Sequence, residues 1–510
     1  MPDVSPRALR LERYILPACL LAQACLLLTR LDLLPVWGDE YFTLLAASQS
    51  LKGLLATLAA EKNNPPLHTI LVHYWLLIPW PAAASVAARA LSVLFALGAT
   101  VVMDRLWLRQ LGRSGRLWFL LLWTVSPCVL LYARMSRSYS LQLLLFTMAI
   151  ANAMDLLRDA RRASRVLWFA AAVACLLYVH YLPGLAILAA AASLVTWRAI
   201  RERQPRVALS ALASIVLTGL LYAPWLAKLW VALDRMVNAE ARPGSSLPLA
   251  TEAIRLGYWF FAFSFGETPP LWVMAGAILV MPGIAYLLWK GVRHPPDWLV
   301  VVLPVAIAAY LGAGRWVSFA FVPARLLFVL PFFLLLLVRG VGRSPRAGWV
   351  VCSAMMLLSA GSITSYFRRA DFLNKAYVLP YSEIADVINR GSARQRAVVV
   401  ADVSNTDPWP LTPQLSREIP IIPASPETTP AAVRERVARA GAAVVWCFRN
   451  THDTSPAGLN RSIEKELAEG RQVRTHLFVP YSQRDRFMMR LLGWVEQPTH
   501  YVQLLEMRQD

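Results

Sequence analysis

The sequence predicts a polytopic α-helical membrane protein with a small α/β domain at its C-terminal end. Of the 510 residues, 57% are hydrophobic and only 16% are charged, far less charge than a water-soluble protein of this size carries. Apolar runs close to the ~20 residues that cross a bilayer recur up to about residue 366. Short strand-like runs and polar helical stretches follow. The sequence therefore divides into a membrane domain, 1–366, and an α/β domain, 367–510.

The positions of the arginines predict the topology. The net charge is +20, but the basic residues cluster in short segments between apolar runs, such as "RDARRASR" and "RGVGRSPR". This pattern orients membrane proteins with their basic loops in the cytoplasm, and it argues against nucleic-acid binding. With every basic segment and the N-terminus in the cytoplasm, about eleven spans result. They lie near 14–34, 86–107, 117–132, 138–157, 166–180, 183–198, 207–226, 272–289, 298–314, 326–338 and 347–365.

The first outer loop, 37–85, is predicted to contain helices that lie along the membrane surface. "EYFTLLAASQSLKGLLATLAAEK" has apolar residues at helical spacing, and "PLHTILVHYWLLIPW" follows the Pro65–Pro66 pair. If the second stretch crossed the membrane, every later basic loop would face outward, so the surface arrangement is preferred.

The tail is predicted to alternate between strands and helices. "AVVVADV", "AAVVWCF", "THLFVPY" and "HYVQLLE" are strand-like, whereas "TPAAVRERVARAG" and "GLNRSIEKELAEG" are helical. No glycine-rich phosphate loop follows a strand, so packing, acceptor contact or partner contact is the expected role.

Two adjacent carboxylates, Asp39 and Glu40 in "WGDEYF", follow the first span directly. One interpretation is that they stabilise a helix N-terminus through its dipole. The other is that one of them acts as a general base in a partly desolvated pocket at the membrane surface. Adjacent residues point in different directions on a helix, so the two have separate roles.

The segment "NNPPLH" comes next on the same outer loop. Its two prolines end one segment and begin a helix, because proline is tolerated in a first helical turn. Asn64 and His68 flank these prolines and are candidate substrate contacts.

Arginines also occur on the outer side, where positive charge is disfavoured. Arg134 and Arg137 in "SPCVLLYARMSRSYSLQ" lie between two spans. They either snorkel to lipid phosphate or clamp the phosphate of a bound lipid substrate. Tyr139 is close enough in sequence to join the same site.

Further polar residues fall at the same predicted membrane face. His180 and Tyr181 lie at the outer end of a span, and Arg325 directly precedes another. Glu267 in "FGETPP" is one more outer carboxylate. No His or Cys pair has metal-site spacing. Carboxylates and arginines on one membrane face suit transfer from a lipid-phosphate donor: arginines stabilise the phosphate leaving group, and a carboxylate deprotonates an acceptor hydroxyl.

The order of these motifs resembles a known family. "WGDEYF", "NNPPLH", "VAARALSVLF", "SPCVLLYARMSRSYSL", "YVHYLPG", "LLYAPWL" and "VPARLLFVLPF" follow one another as in bacterial membrane glycosyltransferases of the GT-C class. The family-39-like branch is the most similar; it includes protein O-mannosyltransferases, the lipid A aminoarabinose transferase and lipopolysaccharide-core galacturonosyltransferases. The resemblance covers about residues 10–340.

The resemblance implies a polyprenyl-phosphate-linked sugar donor, a periplasmic active site in the bacterial inner membrane, and inversion at the anomeric carbon. It implies Asp39 as the catalytic carboxylate with Glu40 beside it. This chain has Asn64 where the aminoarabinose transferase has a lysine before Pro-Pro. The matches to the family's motifs are Arg134, Arg137, Tyr139, His180, Tyr181 and Arg325.

Two other functions stay open at this stage. A multispanning transporter or lipid flippase places ionisable residues within its spans, often with internal repeats, whereas here the charges lie in outer loops and no repeat is found. A non-catalytic membrane scaffold on the same fold is the third hypothesis. The expected partners are membrane lipid, a polyprenyl-phosphate sugar and a glycan, lipid or protein acceptor. The sequence does not decide whether a divalent cation assists.

Overall fold

A computed structural model describes most of the chain. The described residues are 6–60, 65–158, 162–202, 205–238, 249–293, 323–403, 408–424, 428–451, 459–494 and 498–509. They form two compact units. The first unit comprises Met1–Leu31 and Thr43–Thr364, and the second comprises Asp32–Phe42 and Ser365–Asp510.

The described residues before 368 form helices joined by short connections. Its helices are Pro6–Leu28, Gly38–Ala47, Leu51–Ala60, Leu67–Leu76, Ala84–Leu106, Arg113–Thr124, Pro127–Ala133, Tyr139–Arg158, Ala163–Leu177, Tyr181–Glu202, Pro205–Asn238, Leu249–Phe265, Leu271–Val292, Leu330–Arg343 and Pro345–Phe367. Short 3-10 helices occupy Leu108–Gln110 and Pro323–Val329.

Within the described residues, six helices are long and apolar enough to cross a membrane, or seven if one bent pair is a single span. The pair is Arg113–Thr124 and Pro127–Ala133, which meet at 51°. A helix lies at each predicted span except 298–314, which is outside the described residues. The predicted fold class, membrane helices followed by a small α/β domain, is confirmed.

Buried polar side chains fix the helices of the first unit against one another. The Trp123 indole donates to the Thr100 hydroxyl over 2.8 Å, and that hydroxyl donates to Gln23 Oε1 over 2.8 Å. Three helices are thereby joined inside an apolar core. Leu330–Arg343 is apolar on nearly every side because the unit packs around it, and most of its residues are buried.

The second unit contains a five-stranded mixed sheet. Its strands are β1 Ala397–Asp402, β2 Ile421–Ala424, β3 Val444–Asn450, β4 Arg471–Pro480 and β5 His500–Gln509. The strand order is β2-β1-β3-β5-β4. Strands β2, β1 and β3 are parallel, whereas β5 is antiparallel to both β3 and β4.

Helices cover both faces of this sheet. Its helices are Tyr381–Gly391, Pro430–Arg439, Leu459–Ala468 and Gln483–Leu491. Val399 packs with the helix Tyr381–Gly391, and its neighbour Val400 packs on the opposite face with Pro430–Arg439 and Leu459–Ala468. Successive strand residues point to opposite faces, so a strand covered on both sides is apolar throughout, as "AVVVA" is.

The segment Asp32–Phe42 belongs to this second unit although it lies early in the sequence. The Trp37 ring packs edge-on against the ring of Tyr377, with 5.1 Å between centroids. The residues that precede Asp39 are therefore held by residues from the C-terminal part of the chain.

Candidate functional site

The candidate site of the first unit is built on the break between two helices at residues 134–138. The short helix Pro127–Ala133 begins at Ser126, whose hydroxyl accepts a hydrogen bond from the Val129 N–H over 3.3 Å. Pro127 takes the first helical position, where its missing N–H costs nothing. The next helix begins at Tyr139. Arg134 and Arg137 are thus placed on a short connection between buried helices.

Arg134 is 3% exposed and binds backbone oxygens. Its guanidinium donates to the carbonyl of Leu26 over 3.2 Å and to the carbonyl of Arg30. These carbonyls lie at or just beyond the C-terminal end of the helix Pro6–Leu28, where a cation offsets the negative end of the helix dipole. Arg134 therefore holds the first helix against the connection.

Arg137, unlike Arg134, interacts with polar side chains. Its Nη1 donates to the Thr43 hydroxyl over 3.0 Å. Its charge also acts on His68 and His180, and the charge of Arg325 acts on His180. We call Arg137, Arg325, His68 and His180 the arginine–histidine cluster.

The two histidines come from elements that are tied together. His68 is in the first turn of Leu67–Leu76 and is 4% exposed. The Leu67 N–H, at the start of that helix, donates to the Tyr178 carbonyl over 3.0 Å. Tyr178 lies two residues before His180, in the connection between two helices. This bond brings the helix start and the connection to the same place.

Both histidines are neutral at neutral pH. Burial, and then the charge of Arg137, lowers the pKa of His68 to about 3. Burial and the charges of Arg325 and Arg137 likewise lower the pKa of His180. The Leu182 N–H donates to His180 Nδ1 over 3.2 Å, so the proton of the neutral ring is on Nε2. The cluster thus offers two guanidinium groups and a neutral N–H donor, which is a donor set for an anion.

Arg325 is positioned by the 3-10 helix Pro323–Val329. Its backbone carbonyl accepts a long hydrogen bond of 3.4 Å from Gln142 Nε2. Gln142 is fully buried and lies one turn after Tyr139, so Arg325 is fixed to the same helix that follows the Arg134–Arg137 connection.

The Glu267 carboxylate binds two tyrosines from different helices. Glu267 is 3% exposed, and its two carboxylate oxygens accept hydrogen bonds from the hydroxyls of Tyr132 and Tyr258. Burial raises its pKa, and the two tyrosine hydrogen bonds oppose that shift. Tyr132 in turn packs edge-on against Tyr139, with ring centroids 5.6 Å apart.

The backbone before Glu267 is equally constrained. Gly266 has a φ of +80°, and a Cβ there would lie 2.5 Å from the Cβ of Pro127. Only glycine allows this approach, because other residues are strained at positive φ and a side chain would clash. The Glu267 loop is thus fixed on the helix that leads to Arg134.

Tyr181 lies apart from the tyrosines around Glu267. It follows His180 directly and is beside Trp225 and Tyr222. The ring of Tyr222 packs on that of Tyr178 with centroids 4.8 Å apart. This aromatic group supports the His180 connection from the side of the helix Pro205–Asn238.

The carboxylates Asp39 and Glu40 occupy the first turn of the helix Gly38–Ala47. They belong to the segment Asp32–Phe42 of the second unit. Glu40 is 1% exposed and Asp39 is half-buried. Acidic residues in a first turn favour the helix electrostatically, so the stabilising role that the sequence suggested is compatible with a chemical role.

Asn64 lies outside the described residues. Among the described residues, no group of three His, Cys, Asp or Glu side chains is arranged to hold a metal ion. Tyr258 is a site residue that sequence reasoning missed, because a tyrosine in an apolar run gives no signal of its own; only its separation from Glu267 by nine residues is a hint.

Comparisons with known proteins reveal structural relatives. A scan against protein-family models and a search of curated proteins found no match. The oligosaccharyltransferase of Archaeoglobus fulgidus aligns over 97% of this chain and 88% of its own, with a TM-score of 0.52 and 10% identity. ArnT from Cupriavidus metallidurans aligns over 98% of both chains, with a TM-score of 0.50 and 14% identity. The chain has the GT-C fold.

A third structure, ArnT from Cupriavidus metallidurans bound to undecaprenyl phosphate, aligns over 96% of this chain and 97% of its own, with a TM-score of 0.50 and 12% identity. At these identities the likeness concerns the fold. It confirms the resemblance that the order of the motifs predicted, and the solved neighbours with the GT-C fold are membrane glycosyltransferases.

Proposed function

We propose that this chain transfers a sugar from a polyprenyl-phosphate donor to an acceptor hydroxyl, with inversion, at the periplasmic face of a bacterial inner membrane. The observation that carries the proposal is the arginine–histidine cluster: within a chain that has the GT-C fold, the charge of Arg137 acts on two buried, neutral histidines, and the charge of Arg325 acts on one of them, His180. A chain with this fold has been solved with undecaprenyl phosphate bound, which supports a lipid-phosphate ligand.

The cluster has the chemistry that a phosphate leaving group needs. Arg137 and Arg325 bind the donor phosphate and stabilise the charge that develops as its bond to the sugar breaks. His180 donates its Nε2–H to the same phosphate, and His68 lines the site. Because the histidines stay neutral, they add no positive charge beside the two guanidinium groups.

Asp39 is the proposed general base. It takes the proton from the acceptor hydroxyl while the acceptor oxygen forms a bond to the anomeric carbon. The bond from that carbon to the phosphate oxygen breaks on the opposite side, and the lipid phosphate leaves with the electron pair. Glu40 lies beside Asp39 and helps to hold the acceptor.

The remaining predicted residues support this site. Arg134, through the carbonyls of the first helix, and Glu267, through Tyr132 and Tyr139, keep the connection that carries Arg137 in place. Tyr181 supports His180. Asn64 stays a predicted substrate contact. Residues 1–366 then supply the catalytic residues, and 367–510 form a periplasmic domain in one unit with the segment Asp32–Phe42 that carries Asp39.

Transfer by the purified protein tests the proposal. Undecaprenyl phosphate carrying one of a panel of radiolabelled monosaccharides is supplied with envelope glycolipids as acceptors, with and without EDTA. We expect label to move to an acceptor, and Asp39→Asn to reduce transfer by roughly 10²–10⁴-fold, the usual contribution of a general base. Asp32→Asn is the matched control, since Asp32 is an exposed carboxylate of the same segment.

Arg137→Gln should weaken donor binding and slow transfer, whereas Arg158→Gln, at an exposed arginine on the helix that follows, should change neither. Full transfer by Asp39→Asn would rule out the proposed base. If no donor is used and the wild-type protein instead moves a solute across vesicles, the transporter hypothesis replaces this one.

A further inference from the structure

Exposed large hydrophobic side chains in the described part of the second unit belong to one stretch of chain. They are Val473, Leu477, Phe487, Leu491, Leu492 and Trp494. The last four lie on or just after the helix Gln483–Leu491, and we call them the apolar tip. Leu491 and Leu492 are 68% and 64% exposed. Apolar side chains gathered on one exposed surface mark an interaction site.

The start of the helix that carries this tip is firmly held. Ser482 and Asp485 form a capping box. Asp485 is also bound to Lys375 Nζ and to Arg484 Nη2, each over 2.5 Å. Arg484 is 1% exposed and donates to the carbonyls of Asp371 and Phe372. The helix is thus anchored in the interior of the unit by its first turn.

The end of the helix is equally ordered. Gly493 has a φ of +70°, and its N–H donates to the Arg490 carbonyl over 3.1 Å. The Trp494 N–H donates to the Met489 carbonyl over 3.0 Å. This pair of bonds is the Schellman motif, which satisfies the last carbonyls of a helix. The tip is therefore presented by a fixed turn and is not exposed through fraying.

The described helix that carries the tip exposes two positive charges. Arg486 and Arg490 are exposed on the same helix, whereas Asp485 faces its buried cationic partners. A short helix with leucine and aromatic side chains beside arginines has the composition of segments that lie in a membrane interface. Tryptophan in particular is enriched at that level of the bilayer.

We propose that the apolar tip inserts shallowly into the headgroup region of a bilayer that contains anionic lipids. Phe487, Leu491, Leu492 and Trp494 enter the boundary between headgroups and acyl chains, and Arg486 and Arg490 bind lipid phosphates. The helix Pro345–Phe367 is apolar enough to span a membrane, and the chain continues from it directly into the second unit. The second unit is therefore linked covalently to a candidate membrane span.

Depth-dependent quenching in nanodiscs tests the proposal on the full-length protein. Leu491→Cys, in a Cys25→Ser background that removes the exposed native thiol, is labelled with the environment-sensitive dye NBD. The discs contain phosphatidylcholine with or without phosphatidylglycerol, and lipids carrying a doxyl group are the quencher. Glu435→Cys is the matched control, on an exposed helical position of the same unit.

We expect doxyl lipids to quench the dye at position 491 and not at 435, and more strongly with phosphatidylglycerol. A basic residue at an anionic surface contributes about fivefold to binding, so Arg486→Gln with Arg490→Gln should lower the ratio of inserted to free tip by on the order of 30-fold. High salt should act in the same direction.

Two outcomes would overturn the proposal. One is a dye at position 491 that doxyl lipids do not quench and aqueous iodide does, which means that the tip stays in water. The other is a dye protected from both quenchers, which means that protein, either a second copy or another chain, covers the tip. Neither result bears on glycosyl transfer, which is measured separately.

Discussion

Gly291 and Gly340 let two helices of the first unit meet backbone to backbone. A Cβ on Gly291 would lie 2.1 Å from the Leu336 carbonyl oxygen, and a Cβ on Gly340 would lie 2.0 Å from the Leu287 carbonyl oxygen. The contact is reciprocal, because each glycine faces a carbonyl of the helix that carries the other. Small residues at helix interfaces are the general means of close packing in membranes.

Gly340→Ala should therefore lower the free energy of unfolding by about 1–3 kcal/mol, the usual range for overpacking, because a helix must shift to admit the methyl group. Thermal unfolding in detergent measures the effect. Gly342→Ala is the matched control: it lies on the same helix, and a Cβ there would meet nothing within 4 Å. Equal melting temperatures for the two variants would show that the helices do not pack this closely.

Glu267→Gln should destabilise the first unit. The Glu267 carboxylate accepts from both Tyr132 and Tyr258, whereas an amide has one acceptor oxygen, so the proton of one buried hydroxyl loses its acceptor. The expected cost is about 1–3 kcal/mol, read as a lower melting temperature. Tyr258→Phe removes one donor and keeps the carboxylate, so it should cost less. A larger loss in Tyr258→Phe than in Glu267→Gln would contradict this account.

His68 should make stability depend on pH. Its pKa falls from 6.5 to about 3 on folding, so below pH 6.5 the unfolded chain binds a proton that the folded chain does not. The free energy of unfolding is therefore highest, as far as His68 is concerned, above the unfolded pKa of 6.5, and it decreases as the pH falls towards 3. Between pH 7 and pH 5 the loss is ~2 kcal/mol. His68→Gln should flatten this part of the stability curve, and an unchanged slope would exclude His68 as its source.

Asp485→Asn should loosen the second unit. The carboxylate of Asp485 neutralises two buried cations, Lys375 and Arg484, and removal of one partner of a buried ion pair costs about 3–5 kcal/mol. Hydrogen exchange of the helix Gln483–Leu491 measures the loss. Glu435→Gln, which breaks an exposed pair with Arg439, should leave exchange unchanged. Protection of the helix in Asp485→Asn equal to that of wild type would refute the prediction.

The long apolar runs made the membrane helices predictable, because a bilayer demands length and hydrophobicity from one continuous segment. The helix Leu249–Phe265 was not predicted, since its first turns contain Glu252 and Arg255 and it lies between the predicted spans 207–226 and 272–289. In the tail, four strands gave clear apolar runs. Strand β2 has only four residues and contains Pro423, which is tolerated because β2 is an edge strand.

The site was predictable only in part, because sequence order says little about which side chains meet. The topology predicted from the arginines puts Arg137, His180 and Arg325 at one membrane face, and in the structure the charges of both arginines act on His180. The distinction between Arg137 and Arg134 was not predictable: one acts on histidines, whereas the other binds the end of a helix more than a hundred residues earlier in the chain. That contact depends on packing alone.

The grouping of Asp32–Phe42 with the C-terminal residues limits how this protein can be recombined. A chimera that exchanges the tail at residue 365 would keep Trp37 and lose Tyr377, the ring on which it rests. The stretch that carries Asp39 would then be packed against a foreign surface. A tail exchanged with another chain of this fold must therefore be transferred together with the segment Asp32–Phe42, because the two pieces form one packed unit.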